Sequence, residues 1–174
     1  MFAHKIAALT GPDDVQWTEV AEPADNGGVI IDVAAAGVSF ADLLQTRGAY
    51  QMRVALPYTP GMDAAGAVRS SGAGSGLRPG QRVAVLVPYG CWQEVISVPP
   101  ERVLPLPDGM SFEAGAAAPL NYLTGMFALV RRARASAGCP SSGRFRPGRP
   151  RCRPPALPEA RAPPPASRHP AARY

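Results

Sequence analysis

Cysteine, histidine and long apolar runs are scarce in this chain of 174 residues, which holds 3 Cys and 2 His. The cysteines, Cys91, Cys139 and Cys152, are odd in number and have no CxxC spacing, which argues against a disulfide framework or a structural zinc site. Their small number favours a reducing cytoplasm. No apolar run approaches the roughly 20 residues of a membrane span, and the N-terminus does not resemble a signal peptide. These absences predict a cytoplasmic protein without a membrane segment.

Charge divides the chain into two parts. Residues 1–130 hold 7 Lys and Arg against 12 Asp and Glu, a net charge of −5, whereas residues 131–174 hold 11 Arg against one Glu, a net charge of +10. The second part also has ten prolines and neither valine nor isoleucine. Such a composition buries too little apolar area to offset chain entropy. We expect one cored domain over 1–130, followed by a disordered Arg/Pro-rich tail over 131–174.

Short strand patterns separated by Gly and Pro turns fill the first hundred residues. This arrangement is typical of an all-β barrel or sandwich with little helix. The glycine-rich SGAGSG at 71–76 precedes a turn and a strand, whereas a phosphate-binding loop precedes a helix, so it predicts a surface hairpin. The strand candidates are KIAAL, VQWTEV, GVIIDVAAAGV, DAAGAVRS, QRVAVLV and CWQEVISV.

A strand gives way to a short helix inside VIIDVAAAGVSFADLLQTRGAY at 29–50. The apolar residues are typical of a buried strand up to Val38, and Phe40, Leu43 and Leu44 then follow the spacing of a helical face. Ser39 stands where an N-cap would, and Asp42 falls in the first turn, where the helix dipole favours an anion. Both residues can be explained by capping alone, without a role in catalysis.

The run FEAGAAAPLNYLTGMFALVRRAR from 112 onward is helical by composition. Pro119 lies inside it, which predicts that one helix ends and another begins near that point. The polar residues that follow Pro119 can serve a binding cleft or simply face water.

Several ordered blocks resemble one enzyme family. AAGVSFADLLQTRGAY, LPYTPGMDAAGAV, LRPGQRVAVLVPYGCWQEVISVP and ERVLPLPDGMSFEAGAAAPLNYLTGMFAL together resemble the catalytic domain of the medium-chain dehydrogenase/reductase superfamily, in its zinc-free branch of NADPH:quinone oxidoreductases. The resemblance covers about residues 1–130. It implies a mainly β, GroES-like barrel with a few short helices. It also implies hydride transfer from NADPH to a quinone or an activated alkene, in which the cofactor carries the difficult chemistry.

The same resemblance implies a set of site residues and no metal. Zinc-dependent relatives have Cys and His where this chain has Ser39 and Met62, and a hydroxyl and a thioether are poor ligands of Zn²⁺. Ser39 also departs from the Asn usual in the zinc-free branch. Tyr50 can donate its hydroxyl to a substrate oxygen, although a half-buried barrel aromatic explains it equally well. The implied catalytic residues are Tyr50 and Asp42, and the implied cofactor-binding residues are Ser39, Met62, Asn121 and Thr124.

The tail occupies the place where the family would begin its Rossmann domain. We expect this domain to be missing, and the tail to be a shifted reading of the same coding region. Without the helix N-terminus that holds the pyrophosphate, weak or no turnover is expected, so enzymatic activity of this chain is left open. The alternative is a non-catalytic barrel whose basic tail contacts nucleic acid or acidic partners. The scarcity of aromatic residues for base stacking in the tail disfavours nucleic acid.

Overall fold

The computed structural model of the protein describes residues 1–133. Met1–Met126 form one compact unit, and a π-helical turn, Phe127–Arg132, belongs to a second unit. The predicted boundary after residue 130 falls inside that turn, and the other predictions about the tail and the nucleotide domain lie outside the described residues. The elements are β1 Phe2–Ile6, β2 Val15–Glu19, β3 Val29–Ala36, α1 Phe40–Thr46, β4 Asp63–Ser71, β5 Arg82–Leu86, β6 Val95–Val98, β7 Val103–Pro105 and α2 Phe112–Met126.

Two antiparallel sheets carry the fold, which confirms the prediction of a mainly β chain with few helices. The larger sheet has five strands in the order β6-β3-β4-β5-β7, and β1 and β2 form a separate hairpin. The hairpin is tied to the loops of the larger sheet by backbone hydrogen bonds from His4 N to Trp92 O and from Ile6 N to Tyr58 O, both 2.9 Å. No helix within residues 1–133 is both long enough and apolar enough to cross a bilayer.

The core lies on the inner face of the five-stranded sheet and is built from β-branched side chains. Val29, Ile30 and Ile31 are consecutive and buried, and burial alternates along the rest of β3. Because β-branched residues pack well on a pleated surface, this composition suits strands. Full burial of one such side chain contributes about 1.5–3 kcal/mol. The core cluster consists of Val29, Ile31, Ala64, Val68, Val83, Val85, Cys91, Ile96, Val98 and Val103.

Strand boundaries differ from the sequence prediction at two places. The first strand is Phe2–Ile6 and not 5–9, because Phe2 pairs with Glu19 and Ile6 with Val15 across the hairpin. The segment 91–94, predicted to begin a strand, instead forms backbone hydrogen bonds with a neighbouring loop. Cys91 N donates to Gly61 O, and the next residue donates to the carbonyl of residue 60. Pairing with distant segments, which local pattern does not reveal, sets both boundaries.

Pro119 does not end a helix, contrary to the prediction, because it lies inside the continuous helix α2. A proline lacks the N–H that would bond the carbonyl of Gly115, four residues earlier. Gly115 and Pro119 are both buried where α2 packs on the sheet. A Cβ at Gly115 would come within 2.8 Å of Leu106 and 3.2 Å of Ala65. Close packing of this face against the sheet offsets the hydrogen bond that the proline removes.

We expect Gly66→Ala to destabilise the domain. Gly66 lies opposite Val33 in the β3–β4 pair, and an added Cβ would overlap the carbonyl oxygen of Asp32. Overpacking of this kind costs about 1–3 kcal/mol. Gly125→Ala is the matched control, because nothing lies within 4 Å of a Cβ there and the residue is helical, so stability should rise by up to about 1 kcal/mol. Urea unfolding of both variants measures the difference, and equal effects would show that the strands do not approach so closely.

Candidate active site

The N-terminus of α1 is closed by a reciprocal capping box. Ser39 has extended backbone angles, and its Oγ accepts from Asp42 N at 3.4 Å. In return, Asp42 Oδ2 accepts from Ser39 N at 2.8 Å and from Ser39 Oγ at 2.6 Å. The predicted N-cap is therefore confirmed. Two of these hydrogen bonds fix the Ser39 hydroxyl in one orientation, and the third holds its backbone N–H, three residues after β3 ends.

The buried face of α1 is polar, which the sequence pattern did not indicate. Asp42, Gln45 and Thr46 are buried, whereas Phe40 is 72% exposed. Each of the three polar side chains makes a hydrogen bond: the Thr46 Oγ1 donates to Leu43 O at 2.8 Å, for example. Burial therefore follows the helical period, but on polar residues rather than on the apolar ones that predicted the helix.

A second buried carboxylate lies close to the first. Asp63, the first residue of β4, is 2% exposed, and Asp42 is fully buried. Among the residues that the structure describes, Oδ1 of each carboxylate has no hydrogen-bond partner. A Cβ at Gly37 would overlap Asp63 Oδ1 and lie 3.1 Å from the Ala116 carbonyl oxygen, so only glycine fits there. Gly37 thus lets β3, β4 and α2 meet at this point.

Burial controls the protonation of this cluster. It raises the pKa of Asp63, and the charge of Asp42 raises it further, whereas the Leu120 backbone opposes the shift. Burial likewise raises the pKa of the Cys91 thiol, with Asp63 and Asp42 adding to the effect. Cys91 therefore stays a neutral thiol and is not an activated nucleophile.

Asn121 and Thr124 lie on the exposed side of α2. They are three residues apart and so share one face of the helix, while Pro119 faces the sheet. Asn121 Nδ2 donates to the Ala117 carbonyl oxygen at 2.8 Å, which leaves its Oδ1 as an acceptor. Tyr122 between them is 77% exposed. Both predicted residues are accessible to a bound molecule.

Tyr50 lies apart from the capping box. It is half-buried and lines a cavity of about 380 Å³ at the other end of α1, where the remaining five predicted site residues are absent. Helix α1 has seven residues, so it is about 10 Å long. The three predicted residues on or next to α1 are therefore divided between its two ends, with Ser39 and Asp42 at the N-terminal end and Tyr50 beyond the C-terminal end.

Comparison with known proteins identifies this arrangement. The alcohol dehydrogenase GroES-like domain matches residues 25–108. The synaptic vesicle membrane protein VAT-1 homolog of Rattus norvegicus is 42% identical over 104 residues, 59% of this chain and 26% of that protein. A probable oxidoreductase from Mycobacterium abscessus has a TM-score of 0.76 at 39% identity, with 79% of this chain and 45% of that chain covered.

A quinone oxidoreductase from Thermus thermophilus, also solved in complex with NADPH, is another similar structure. It is 39% identical with a TM-score of 0.67, over 78% of this chain and 42% of that chain. Together these similarities support a quinone oxidoreductase-like chain of the medium-chain dehydrogenase/reductase superfamily. It spans about a quarter of the length of the rat relative and less than half of either bacterial chain.

The zinc of other dehydrogenase/reductases does not fit this GroES-like domain. The positions that zinc-dependent members use hold the hydroxyl of Ser39 and the thioether of Met62, which is 9% exposed. Within residues 1–133, no three His, Cys, Asp or Glu side chains are grouped so that they could hold a metal ion.

The sequence did not indicate a role for Asp63 or Gly37 in this GroES-like domain. The charge of Asp42 contributes to the raised pKa of Asp63, but Asp42 lies 21 positions earlier in the sequence, so no local pattern links the two residues. A glycine two residues before an N-cap serine was the available signal for Gly37.

We expect Ser39→Ala to lower the free energy of unfolding of this GroES-like domain by about 1–2 kcal/mol, because it removes the cap and leaves a buried carboxylate with fewer donors. Ser39→Thr should retain most of the stability, since its hydroxyl can cap in the same way. Chemical denaturation of both variants measures the effect. A loss equal in the two variants would contradict the hydrogen-bonding explanation.

We expect Asp63→Asn to gain stability relative to the natural domain as pH rises. The native pKa of Asp63 lies above its ordinary value of 3.8, so between these two pKa values the folded chain holds more of this proton than the unfolded chain. The contribution of Asp63 to the free energy of unfolding is therefore greatest at pH values below its pKa in the unfolded chain. It falls as pH rises from that value to the pKa in the folded chain, and it is constant at higher pH. The asparagine does not titrate.

Urea unfolding at a series of pH values from about 3 upward measures this difference. Asp108→Asn, at an exposed carboxylate, supplies the baseline. A free energy of unfolding of Asp63→Asn that falls relative to that of the natural domain as pH rises would contradict the assignment.

Proposed function

We propose that residues 1–130 form the half of an NADPH-dependent, zinc-free oxidoreductase that binds the acceptor, a quinone or an activated alkene. The observation that carries this proposal is the Ser39–Asp42 capping box beside Asp63, in a chain 39% identical to a bacterial quinone oxidoreductase. NADPH, when bound, supplies the hydride, and the protein orients the two reactants. The residues described below hold and position them.

Ser39 presents a fixed hydroxyl at the proposed hydride-transfer site. It is half-buried and flanked by Val38, which is 79% exposed, and by the exposed Phe40. These two apolar side chains suit the face of a nicotinamide ring, and the hydroxyl between them can bond the ring's substituent. Asp42 is fully buried and cannot touch a substrate in this conformation, so we assign it a positioning role through its hydrogen bonds to Ser39.

The exposed face of α2 supplies further polar groups for the carboxamide of the nicotinamide. Asn121 Oδ1 is free to accept because the amide nitrogen is already bonded to Ala117. A carboxamide offers N–H donors, which Asn121 Oδ1 and Thr124 Oγ1 can accept. Met62 contributes a nearly buried thioether at the start of β4 and so acts as an apolar wall.

Tyr50 is proposed to contact the acceptor. Its hydroxyl can donate to a quinone or carbonyl oxygen, on which negative charge grows as hydride arrives. Its position at the far end of α1 favours a contact with the acceptor over a contact with the nicotinamide. The cytoplasmic location predicted from sequence belongs to the same proposal, since the described part of the chain contains a free, buried thiol at Cys91 that suits a reducing compartment.

We expect little NADPH-dependent quinone reduction by the 174-residue chain and a clear gain when residues 1–133 are joined to the nucleotide-binding half of the Thermus relative. The reason is that the described residues provide only one wall of a cofactor cleft. NADPH oxidation with a quinone acceptor measures turnover, and cofactor fluorescence measures binding. In the fusion, Ser39→Ala and Thr124→Ala should each lower kcat about tenfold, the loss expected for one hydrogen bond.

Ser70→Ala, on the distant part of β4, is the matched control and should leave turnover unchanged. A folded fusion that binds NADPH yet reduces no quinone would exclude the proposed function. Strong turnover by the 174-residue chain, lost on Thr124→Ala, would instead show that one wall is enough.

A further inference from the structure

A groove of about 570 Å³ lies between the β1–β2 hairpin, the second half of β3 and the segment 91–94. We call it the hairpin groove. Its volume is within the roughly 300–1,000 Å³ typical of ligand cavities. Val38 is the only groove residue to which the proposed function gives a binding role, and the aromatic and acidic residues of the groove have none. The hairpin groove is therefore a separate candidate site that adjoins the proposed nicotinamide site at one residue.

One wall of the hairpin groove is a row of aromatic rings. Trp17 is 54% exposed, and 4.6 Å separate the centroids of its ring and that of His4. The His4 ring in turn lies 6.1 Å from that of Trp92, again between centroids. Phe2 stacks on Trp17 at 5.5 Å and holds that ring in place. Both tryptophans of the chain thus line this groove, and the row of rings is longer than a single six-membered ring.

The position of Trp92 in this wall is fixed. Its Nε1 donates to the Gly37 carbonyl oxygen at 2.8 Å, and its backbone carbonyl accepts from His4 N at 2.9 Å. Gly61 leaves room for the indole, because a Cβ there would overlap the ring. A preformed wall of this kind lowers the entropic cost of binding a ligand. The faces of such rings attract both flat aromatic molecules and cations.

The groove contains a carboxylate, whereas no Lys or Arg among the described residues lines it. Glu94 is exposed, but three hydrogen bonds hold it. Its Oε2 accepts from Phe2 N at 2.7 Å, its backbone N donates to Phe2 O at 3.1 Å, and its backbone O accepts from Val33 N at 2.8 Å. Two further acids, Asp13 and Asp14, follow directly after a lining residue in the sequence. The charge of the groove therefore favours a cation and disfavours an anion.

We propose that the hairpin groove binds a flat aromatic cation of two or more fused rings, such as an N-alkylated bicyclic heterocycle. The fused rings stack along the row of aromatic side chains, and the positive charge is attracted by the indole faces of Trp17 and Trp92. Tryptophan is the aromatic side chain that attracts cations most strongly. The Glu94 carboxylate lies in the same groove and opposes the ligand's charge. Binding needs neither NADPH nor an acceptor, so its outcome is independent of the proposed function.

An NMR titration of the 174-residue chain with 1-methylquinolinium, without NADPH, tests the proposal. Because both tryptophans line the groove, both indole N–H signals should shift and saturate together. At mildly alkaline pH 2-methylquinoline has nearly the same shape without the charge, and we expect it to bind about tenfold more weakly. The single-ring cation 1-methylpyridinium should also bind about tenfold more weakly, because it buries less apolar surface. Quinoline-2-carboxylate, an anion, should shift neither signal.

The proposal is overturned if the indole signals do not saturate at millimolar 1-methylquinolinium. Equal affinities for the bicyclic cation and its uncharged counterpart would exclude recognition of the charge. Equal affinities for the bicyclic and the single-ring cation would exclude recognition of the fused rings.

Glu94→Gln should weaken binding of 1-methylquinolinium about threefold and leave that of 2-methylquinoline unchanged. The glutamine carbonyl can still accept from Phe2 N, so the hairpin keeps this hydrogen bond. Glu101→Gln, at an exposed acid outside the groove, removes the same charge and should leave both affinities unchanged. Equal losses in the two variants would refute a specific site.

Trp17→Leu should remove most of the preference for the cation over 2-methylquinoline, because leucine keeps an apolar surface without the aromatic face. The indole signal of Trp92 still reports binding in this variant. Since Trp17 is about half exposed, its replacement tests the aromatic wall even where a change at Glu94 disturbs the hairpin. A preference for the cation that is unchanged in Trp17→Leu would contradict the proposal.

Discussion

The domain is organised around two buried carboxylates, Asp42 and Asp63, and around Gly37, against which Asp63 packs. Gly37 has no room for a Cβ because Asp63 and the Ala116 carbonyl oxygen already occupy that space. Three elements meet there: the end of β3, the start of β4 and the middle of α2. Burying carboxylates costs free energy unless hydrogen bonds compensate, and Asp42 obtains that compensation from Ser39. For Asp63, the free-energy cost of burying the charged carboxylate is the main cause of its raised pKa.

Helix α1 depends on this polar interior for its existence. A seven-residue helix is too short to be stable alone, because nucleation is unfavourable and few hydrogen bonds follow. Its stability comes from the capping box at one end and from buried hydrogen bonds of Gln45 and Thr46 toward the other. The same helix therefore separates two sites of different character. Its N-terminal end holds a fixed hydroxyl among exposed apolar side chains, and its C-terminal end borders a cavity with two arginines.

The sequence predicted what local chemistry controls and missed what distant packing controls. The cap at Ser39 could be recognised because a capping box needs only four consecutive residues. The buried face of α1 could not, because its polar residues are satisfied by groups such as the Pro88 carbonyl, 43 positions away from Gln45. Pro119 was misjudged for a related reason: the rule that proline ends a helix omits the packing of α2 against β4 and β5. Burial of Asp63 likewise depends on Gly37, which no pattern of charge or hydropathy specifies.

The site inverts the usual distribution of polar and apolar groups, and this inversion bears on its chemistry. Asp42 and Asp63 are inside, whereas Val38, Phe40 and Tyr122 are 72–79% exposed. While these apolar side chains face water, the hydroxyl of Ser39 acts in a medium of high dielectric, where a hydrogen bond contributes little. In the proposed complex a cofactor ring would cover them and exclude water, and the same fixed hydroxyl would then act far more strongly. Under the proposed function, catalysis should thus depend less on the geometry of Ser39, which the buried carboxylate already fixes, than on the group that covers Val38 and Phe40.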